Sequence, residues 1–249
     1  MVPWDALRRL LGLPADMSPP DSVDLVRMAI DRPRHARLIG MALRGCVPKE
    51  APAAMLVAAG ERGALPPYAV AELLGCVGHA AGYAAARALL FGENDAKTYA
   101  AAGIACARIL GARAEADLSI ALRASPTREA REGAAIGLCE IGSAEAAATI
   151  AEAGRDGRVR MRLAARCAVR MPFDASYWLE QLESSDLRSR RYGTELVYEL
   201  LAGGGATDAR RHLYELGDRA KEAVRAALED PRLYMLPEKR EVLARWVGH

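Results

Sequence analysis

The chain has 249 residues, of which 51% are hydrophobic but only 5% aromatic, and its formal net charge is +2. A chain of this length forms one large domain or an array of small repeating units, and a charge so close to zero provides no global field that attracts nucleic acid or a membrane. Because strand-favouring residues are scarce while alanine and leucine are abundant, the composition favours α-helix.

The N-terminal segment is expected to form two helices, over 4–13 and 21–30, that together cap the core as residues 1–33. Three charged residues interrupt its first apolar stretch, so the segment does not resemble a secretory signal. The longest weakly polar run, 73–86, falls short of the roughly 18 apolar residues that a membrane span needs. We therefore expect a soluble, cytoplasmic protein without a membrane partner.

Beyond this cap the sequence repeats. The residues that end the first helix of each predicted helix pair recur at intervals of 33, 33, 31, 30 and 30 residues. They are Gly45, Gly78, Gly111, Gly142, Pro172 and Ala202. Glycine at such a position supplies the left-handed residue that often ends a helix. Ser143 and Asp174 follow two of these residues and are placed to cap the second helix of their pairs.

A shared pattern identifies the type of repeat. A basic residue, five others, Ala-Ala, six others and then Gly or Pro recur in RVRMRLAARCAVRMP and in TREAREGAAIGLCEIG. This pattern resembles the HEAT-repeat family, and within it the short repeats of phycobilisome lyases and many bacterial proteins. The resemblance implies an all-α, right-handed α-solenoid of about six to seven helix pairs. It implies a single domain over 1–249, with repeats over 34–216 and a C-terminal cap over 217–249.

Cysteine and histidine positions argue against a metal site or a catalytic centre. The five cysteines are Cys46, Cys76, Cys106, Cys139 and Cys167. Their spacing lacks the close pairs of a zinc site, and their odd number argues against a disulfide framework. The regular spacing instead favours one small buried thiol per repeat. The four histidines are predicted to lie in different repeats, and the glycines at 203–205 lack the strand and lysine of a phosphate loop, so they predict a turn. We expect no enzyme, no metal and no cofactor.

A basic residue begins each of five successive first helices, at intervals of 31, 30, 30 and 31 residues. These residues are Lys97, Arg128, Arg158, Arg188 and Arg219. Equivalent positions in stacked repeats fall on one line, so the five charges are expected to form a ladder. Aspartates at 95, 156 and 186 precede three of them. Either these aspartates cap helices while the basic groups bind carboxylates of neighbouring repeats, or the ladder is a ridge that grips phosphates or an acidic partner.

Residues 155–191 contain nine arginines and only five acidic residues. Arg158, Arg162, Arg166 and Arg170, four apart, are predicted to share one face of a helix. Like charges at this spacing are unfavourable, so acidic side chains of adjacent repeats or an external anion must offset them, unless the face is simply solvated. The abundance of arginine over lysine also has two explanations, coding bias and function.

Aromatic residues are interleaved with these arginines. Trp178 either anchors a partner, as tryptophan, tyrosine and arginine commonly do at interfaces, or fills a gap among alanines. The candidate binding residues are Arg158, Arg162, Arg166, Arg188, Arg191, Tyr177, Trp178 and Tyr192. Reversal of Arg162 and Arg166 to glutamate is expected to abolish partner binding and to leave the fold intact.

Three functions are compatible with these features. The first is a scaffold or adaptor that binds a protein through its concave and ridge surfaces, without a small-molecule cofactor. The second is nucleic-acid binding, because some HEAT-like proteins are alkylpurine DNA glycosylases that use an aspartate beside aromatic residues in a basic cleft; the nearest candidates are Trp178, Asp186 and Arg188. The third, a chromophore lyase or a chaperone-like relative, rests on repeat similarity alone.

Overall fold

The computed structural model describes residues 4–203 and 207–248. Helices make up 76% of the described residues, which contain no β-strand. The prediction of an all-α protein is therefore confirmed. Contacts between Cα atoms divide the chain into two compact units, Met1–Ile141 and Gly142–His249, which we call unit 1 and unit 2. The boundary follows the first helix of a predicted pair.

Unit 1 is built from helices that pack in succession. They are α1 (Trp4–Leu10), α2 (Ser22–Asp31), α3 (Ala36–Leu43), α4 (Glu50–Glu61), α5 (Pro67–Val77), α6 (Tyr83–Phe91), α7 (Ala96–Leu110), α8 (Glu115–Ala124) and α9 (Arg128–Ile141). Short 3-10 turns occur at Pro33–His35, Ala80–Gly82 and Gly111–Ala114. Helix α5 packs against α3, α7 against α5, and α9 against α7. Helix α6 packs on α7, and α8 packs on α9. Helices α1 and α2 stand where the N-terminal cap was predicted.

The contact between α7 and α9 brings two backbones together through glycines. A Cβ atom on Gly103 would overlap the carbonyl oxygen of Gly133, and a Cβ on Gly137 would lie 2.5 Å from the carbonyl oxygen of Gly103. Helices α5 and α7 are nearly as close, because a Cβ on Gly75 would lie 3.0 Å from the Cα of Ala105. Small residues thus allow these helices to approach until backbone touches backbone.

Unit 2 is arranged around one central helix. Its helices are α10 (Ala144–Arg155), α11 (Met161–Ala168), α12 (Ala175–Glu183), α13 (Leu187–Ala202), α14 (Thr207–Glu229) and α15 (Pro237–Val247). Helix α13 contacts α10, α11, α12, α14 and α15. Gly217, with φ of 62°, interrupts α14, so Arg219 lies just after a kink where the sequence predicts a helix to begin.

Most of the predicted caps are confirmed. The side chain of Ser143 accepts a hydrogen bond from the amide of Ala146 at 2.9 Å, and Asp174 caps α12 in the same way. Aspartates at 95 and 186 cap α7 and α13. Asp156 does not cap α11, because that helix begins only at Met161 and Arg160 precedes it without a side-chain cap.

The predicted helix ends are only partly correct. Gly78, Gly111 and Gly142 have positive φ angles directly after α5, α7 and α9, as expected of residues that end helices. Ala202 is the last residue of α13. Helices α3 and α11 end before the predicted Gly45 and Pro172. Of the predicted glycine turn, positions 204 and 205 lie outside the described residues.

The cysteines form no disulfide bonds, as predicted. No disulfide joins any of the five, all of which are described, and Cys76, Cys106 and Cys167 are buried. Burial raises the pKa of Cys106 to about 12, so this thiol stays protonated and behaves as a small apolar group. Cys46 and Cys139 are only half-buried, so burial of one thiol per repeat is not general. Among the described residues no helix combines the length and apolarity that crossing a bilayer requires.

Candidate functional site

A groove of about 420 Å³ crosses α3, α5 and α7 on the surface of unit 1. Helix α5 contributes the buried small residues Ala71, Gly75 and Cys76. Basic and apolar side chains from all three helices surround them. The other lining residues are Arg37, Met41, Arg44, Tyr68, Glu72, Lys97, Ala101, Ile104 and Arg108. The groove therefore combines four cationic side chains with one carboxylate and several apolar groups.

Two of the four cations are already engaged. The Nε of Arg108 donates to Oε1 of Glu140 at 2.7 Å, and the Nζ of Lys97 lies 3.4 Å from the centroid of the Tyr68 ring. Arg37 and Arg44 are exposed, and their side chains have no hydrogen-bond or ion-pair partner within 4–203 and 207–248. These two guanidinium groups are consequently available to an external anion.

The chemistry of this surface suits a carboxylate. A guanidinium group presents paired N–H donors that match a carboxylate or a phosphate in a two-pronged geometry. Met41 and Ile104 line the same groove, so a ligand that fills it must offer apolar groups as well as negative charge. The geometry favours an amphipathic acidic segment over a simple ion.

Sequence analysis did not identify this groove. Arg37 lies on α3 and Arg44 directly follows the end of that helix. Because the two are seven residues apart, helical spacing places them on one side of α3 together with Met41. That spacing was a usable signal, but Arg37 and Arg44 lie outside both the basic ladder and the segment with the local charge excess. The remaining cations of the groove come from α7, which is two helix pairs further along the chain.

The predicted arginine stripe in unit 2 is shorter than expected. Arg158 precedes α11 and Arg170 follows it, so only Arg162 and Arg166 lie on that helix. Pro172 lacks the amide that would bond to the carbonyl of Ala168, which accounts for the early end of the helix. The prediction that four arginines share one helix face is therefore wrong.

A buried carboxylate offsets the two arginines that do share a face. Arg162 donates from Nε to Oε1 of Glu199 at 2.7 Å, and Arg166 donates from Nε to Oε2 at 2.8 Å. The Glu199 side chain is 7% exposed, whereas those of Arg162 and Arg166 are 55% and 52% exposed. The hydrogen bond to Glu199 also raises the pKa of Arg162. The repulsion between these two arginines is thus offset by an acidic side chain of a neighbouring helix, which is one of the alternatives that the sequence left open.

The other predicted arginines differ among themselves. Arg158 lies 3.8 Å from the Asp156 carboxylate. Arg188 and Arg191 are exposed on the first turns of α13, and in the described part of the chain their side chains have no hydrogen-bond or ion-pair partner. Of these three arginines, Arg188 and Arg191 are thus the two that lack such a partner among the described residues.

Two of the three aromatic residues predicted to bind a partner are buried. Trp178 is 3% exposed and Tyr192 is 0% exposed. The ring of Phe173 meets Trp178 edge to face, with 5.0 Å between centroids. Tyr177 is half-buried, and burial raises its pKa. The interpretation of Trp178 as a space-filling residue is correct for this structure, and the expected combination of arginines and aromatic rings on one surface is wrong.

The ladder residues do not act alike. Within unit 1, Lys97 contacts the Tyr68 ring on the previous first helix, and Arg128 is exposed. Within unit 2, Arg219 donates from Nη2 to both carboxylate oxygens of Glu183, at 2.7 and 2.9 Å. Ion pairs between successive repeats also occur outside the ladder, as between Arg87 and Asp117. The interpretation that the basic residues contact neighbouring repeats therefore applies to individual residues of the ladder and not to all five.

The double reversal of Arg162 and Arg166 to glutamate should destabilise the fold. It would place two carboxylates beside the buried Glu199 and remove two charge-assisted hydrogen bonds. We expect a loss of about 2 kcal/mol in the free energy of unfolding, below the value for fully buried pairs because both arginines are more than half exposed. Urea denaturation followed by circular dichroism measures it.

Reversal of Arg188 and Arg191 is the matched control, since it changes the net charge equally at exposed positions. It should alter stability by less than about 0.5 kcal/mol. Equal stability of the two double variants would show that Glu199 does not depend on its arginine partners. This result would restore the sequence-based expectation that the first reversal leaves the fold intact.

Two of the three described histidines have structural contacts. His212 stacks on Phe173 with 4.0 Å between ring centroids, and His79 accepts a hydrogen bond from the amide of Ala81. His249 lies outside the described residues. In the parts of the chain that the structure describes, no group of three or more His, Cys, Asp or Glu residues is placed to hold a metal ion. Comparison with protein-family models and with curated proteins gives no match for this chain.

Proposed function

We propose that this protein is a non-catalytic scaffold that binds an acidic, amphipathic segment of a partner protein in the groove of unit 1. The observation that carries the proposal is the pair of unpartnered guanidinium groups, Arg37 and Arg44, beside the apolar Met41 and Ile104. Carboxylates of the segment would pair with the arginines while its apolar side chains cover the methionine and isoleucine.

We also propose that the repeats are of the HEAT type. Support comes from the order of packing in unit 1, where α3, α5, α7 and α9 begin at residues 36, 67, 96 and 128 and each packs on its predecessor. In unit 2, α11, α13 and α15 pack in the same order. Repeats that contact mainly their neighbours form extended surfaces, on which grooves such as this one are typical binding sites.

A protein partner suits the groove better than nucleic acid does. The net charge of +2 gives little general attraction for a polyanion. The apolar lining of the groove, which includes Met41 and Ile104, offers a phosphate backbone no complementary contact. Asp186 and Trp178, the sequence-based candidates for base chemistry, serve as a helix cap and a core residue. Nucleic-acid binding is nevertheless the alternative that the experiment must separate.

The test uses a fluorescein-labelled peptide with glutamate and leucine at helical spacing, and a second peptide with glutamine in place of glutamate. Fluorescence anisotropy should show binding of the acidic peptide and at least tenfold weaker binding of the neutral one. The double variant Arg37→Glu/Arg44→Glu should weaken binding of the acidic peptide at least tenfold, since two charge-assisted contacts become repulsive.

Arg62→Glu/Arg113→Glu is the matched control, because both arginines are exposed in unit 1 outside the groove and the charge change is identical. This variant should retain the wild-type affinity. Equal loss in both double variants would indicate general electrostatic attraction and would contradict a specific groove. A labelled DNA duplex forms a separate arm: binding tighter than that of the peptide, with a logarithmic salt slope of about −0.9 per contacted phosphate, would favour nucleic acid.

A further inference from the structure

A second cavity, of about 360 Å³, lies wholly within unit 2 and is lined by α10, α12, α13 and the end and following turn of α11. Its volume falls within the range of small-molecule sites, about 300–1,000 Å³. The lining is almost entirely apolar and unusually rich in aromatic rings for a chain with so few of them. The lining residues are Ala144, Ala147, Ala148, Ala168, Met171, Pro172, Phe173, Asp174, Tyr177, Trp178 and Tyr192.

Tyr192, which is among the residues that line this cavity, carries a buried hydroxyl group. The residue is 0% exposed, and its hydroxyl has no hydrogen-bond partner among the described residues. Buried hydroxyl groups nearly always have a partner, because an unsatisfied one costs free energy. Burial also raises the pKa of Tyr192, so the hydroxyl keeps its proton and can donate it to an acceptor.

The lining also restricts the charge of a ligand. Asp174 is the one ionisable acidic or basic side chain in the lining apart from the tyrosines, and its Oδ1 accepts a hydrogen bond from the amide of Tyr177 at 3.1 Å as the cap of α12. No lysine, arginine or histidine lines the cavity, so an anionic ligand would lack a counter-charge within it. Rings and alanine methyl groups instead favour a flat apolar body.

We propose that this cavity binds a small, uncharged, largely aromatic molecule with a carbonyl oxygen that accepts a hydrogen bond from the hydroxyl of Tyr192. The apolar body of the molecule packs among Phe173, Trp178 and the alanines of α10. This site does not depend on the groove of unit 1, because it shares no residue with it.

The test titrates the full chain with flavone, a neutral aromatic ketone, and with 2-phenylnaphthalene, which has a similar shape but no carbonyl group. Quenching of tryptophan fluorescence reports binding, since Trp178 lines the cavity. Wild-type protein should bind flavone about tenfold more tightly than the hydrocarbon. Tyr192→Phe should remove this tenfold preference, equivalent to about 1.4 kcal/mol, and leave the hydrocarbon affinity unchanged.

Tyr192→Phe removes only an unpartnered hydroxyl, so it should fold as stably as the wild type. Ala147→Trp, which fills the cavity, should abolish binding of both compounds, with circular dichroism as the check on folding. If wild-type protein binds neither compound, or if Tyr192→Phe retains the preference for flavone, the proposal is overturned. Undiminished binding to a folded Ala147→Trp variant would overturn it as well, because the compounds would then bind elsewhere.

Discussion

Gly103→Ala should destabilise unit 1 by about 3 kcal/mol or more in the free energy of unfolding. The new Cβ would overlap the carbonyl oxygen of Gly133, and a backbone atom cannot rotate away as a flexible side chain can. Alanine is the better helix former by about 1 kcal/mol, so propensity alone predicts the opposite sign. The overlap should prevail, because overpacking against backbone forces whole helices apart.

Chemical denaturation followed by circular dichroism measures this effect. Gly248→Ala is the control, because its Cβ would lie 3.4 Å from the nearest atom, the carbonyl oxygen of Ala244, and would meet no neighbouring helix. That variant should remain within about 0.5 kcal/mol of the wild type. A Gly103→Ala protein that is more stable than the wild type would show that α7 and α9 are not in backbone contact.

Trp178→Ala should cost unit 2 about 3–5 kcal/mol, the usual effect of truncating a large buried aromatic residue. The ring is 3% exposed and meets Phe173 edge to face, so its removal loses apolar burial and leaves a cavity. Urea denaturation provides the measurement. Tyr214→Ala, which truncates an aromatic ring that is 87% exposed in the same unit, should change stability by less than about 0.5 kcal/mol.

This expectation changes how binding data on Trp178→Ala are to be interpreted. If Trp178 anchored a partner, one of the two roles considered from the sequence, loss of binding in this variant would report the loss of a surface contact. With the ring in the core, a loss of binding would follow from loss of structure. Stability of Trp178→Ala equal to that of Tyr214→Ala would contradict the buried position and would revive the anchor interpretation.

Local signals predicted the fold well. Ser143 caps α10 and Gly142 ends α9, because a cap or a left-handed residue acts on backbone groups within a few positions of itself. The end of α11 was missed although Pro172 was recognised as a stop. A proline removes the hydrogen bond to a carbonyl four residues earlier, so the helix ended before the residue that marked it.

The candidate sites depend on contacts that local patterns do not encode. Glu199 neutralises Arg162 and Arg166 from a later helix, and nothing near the arginines in sequence indicates which glutamate does so. The groove likewise combines Arg37 and Arg44 of α3 with cations of α7. Helical periodicity shows which residues share a face of one helix, but the pairing of faces is decided by how closely the helices pack.

The glycine contacts also determine how unit 1 responds to mechanical load. At the glycines of α7 and α9 the closest atoms belong to the two backbones, which cannot yield by a side-chain rotation when force is applied. Between α3 and α5, by contrast, the atom nearest to a Cβ on Gly40 would be the Sγ of Cys76, which can rotate. We therefore expect stiffness to decrease from α9 towards α3, so that the wall of the groove that carries Arg37 and Arg44 is its more compliant side. A bulky occupant would bend that wall outward while the opposite wall holds its position.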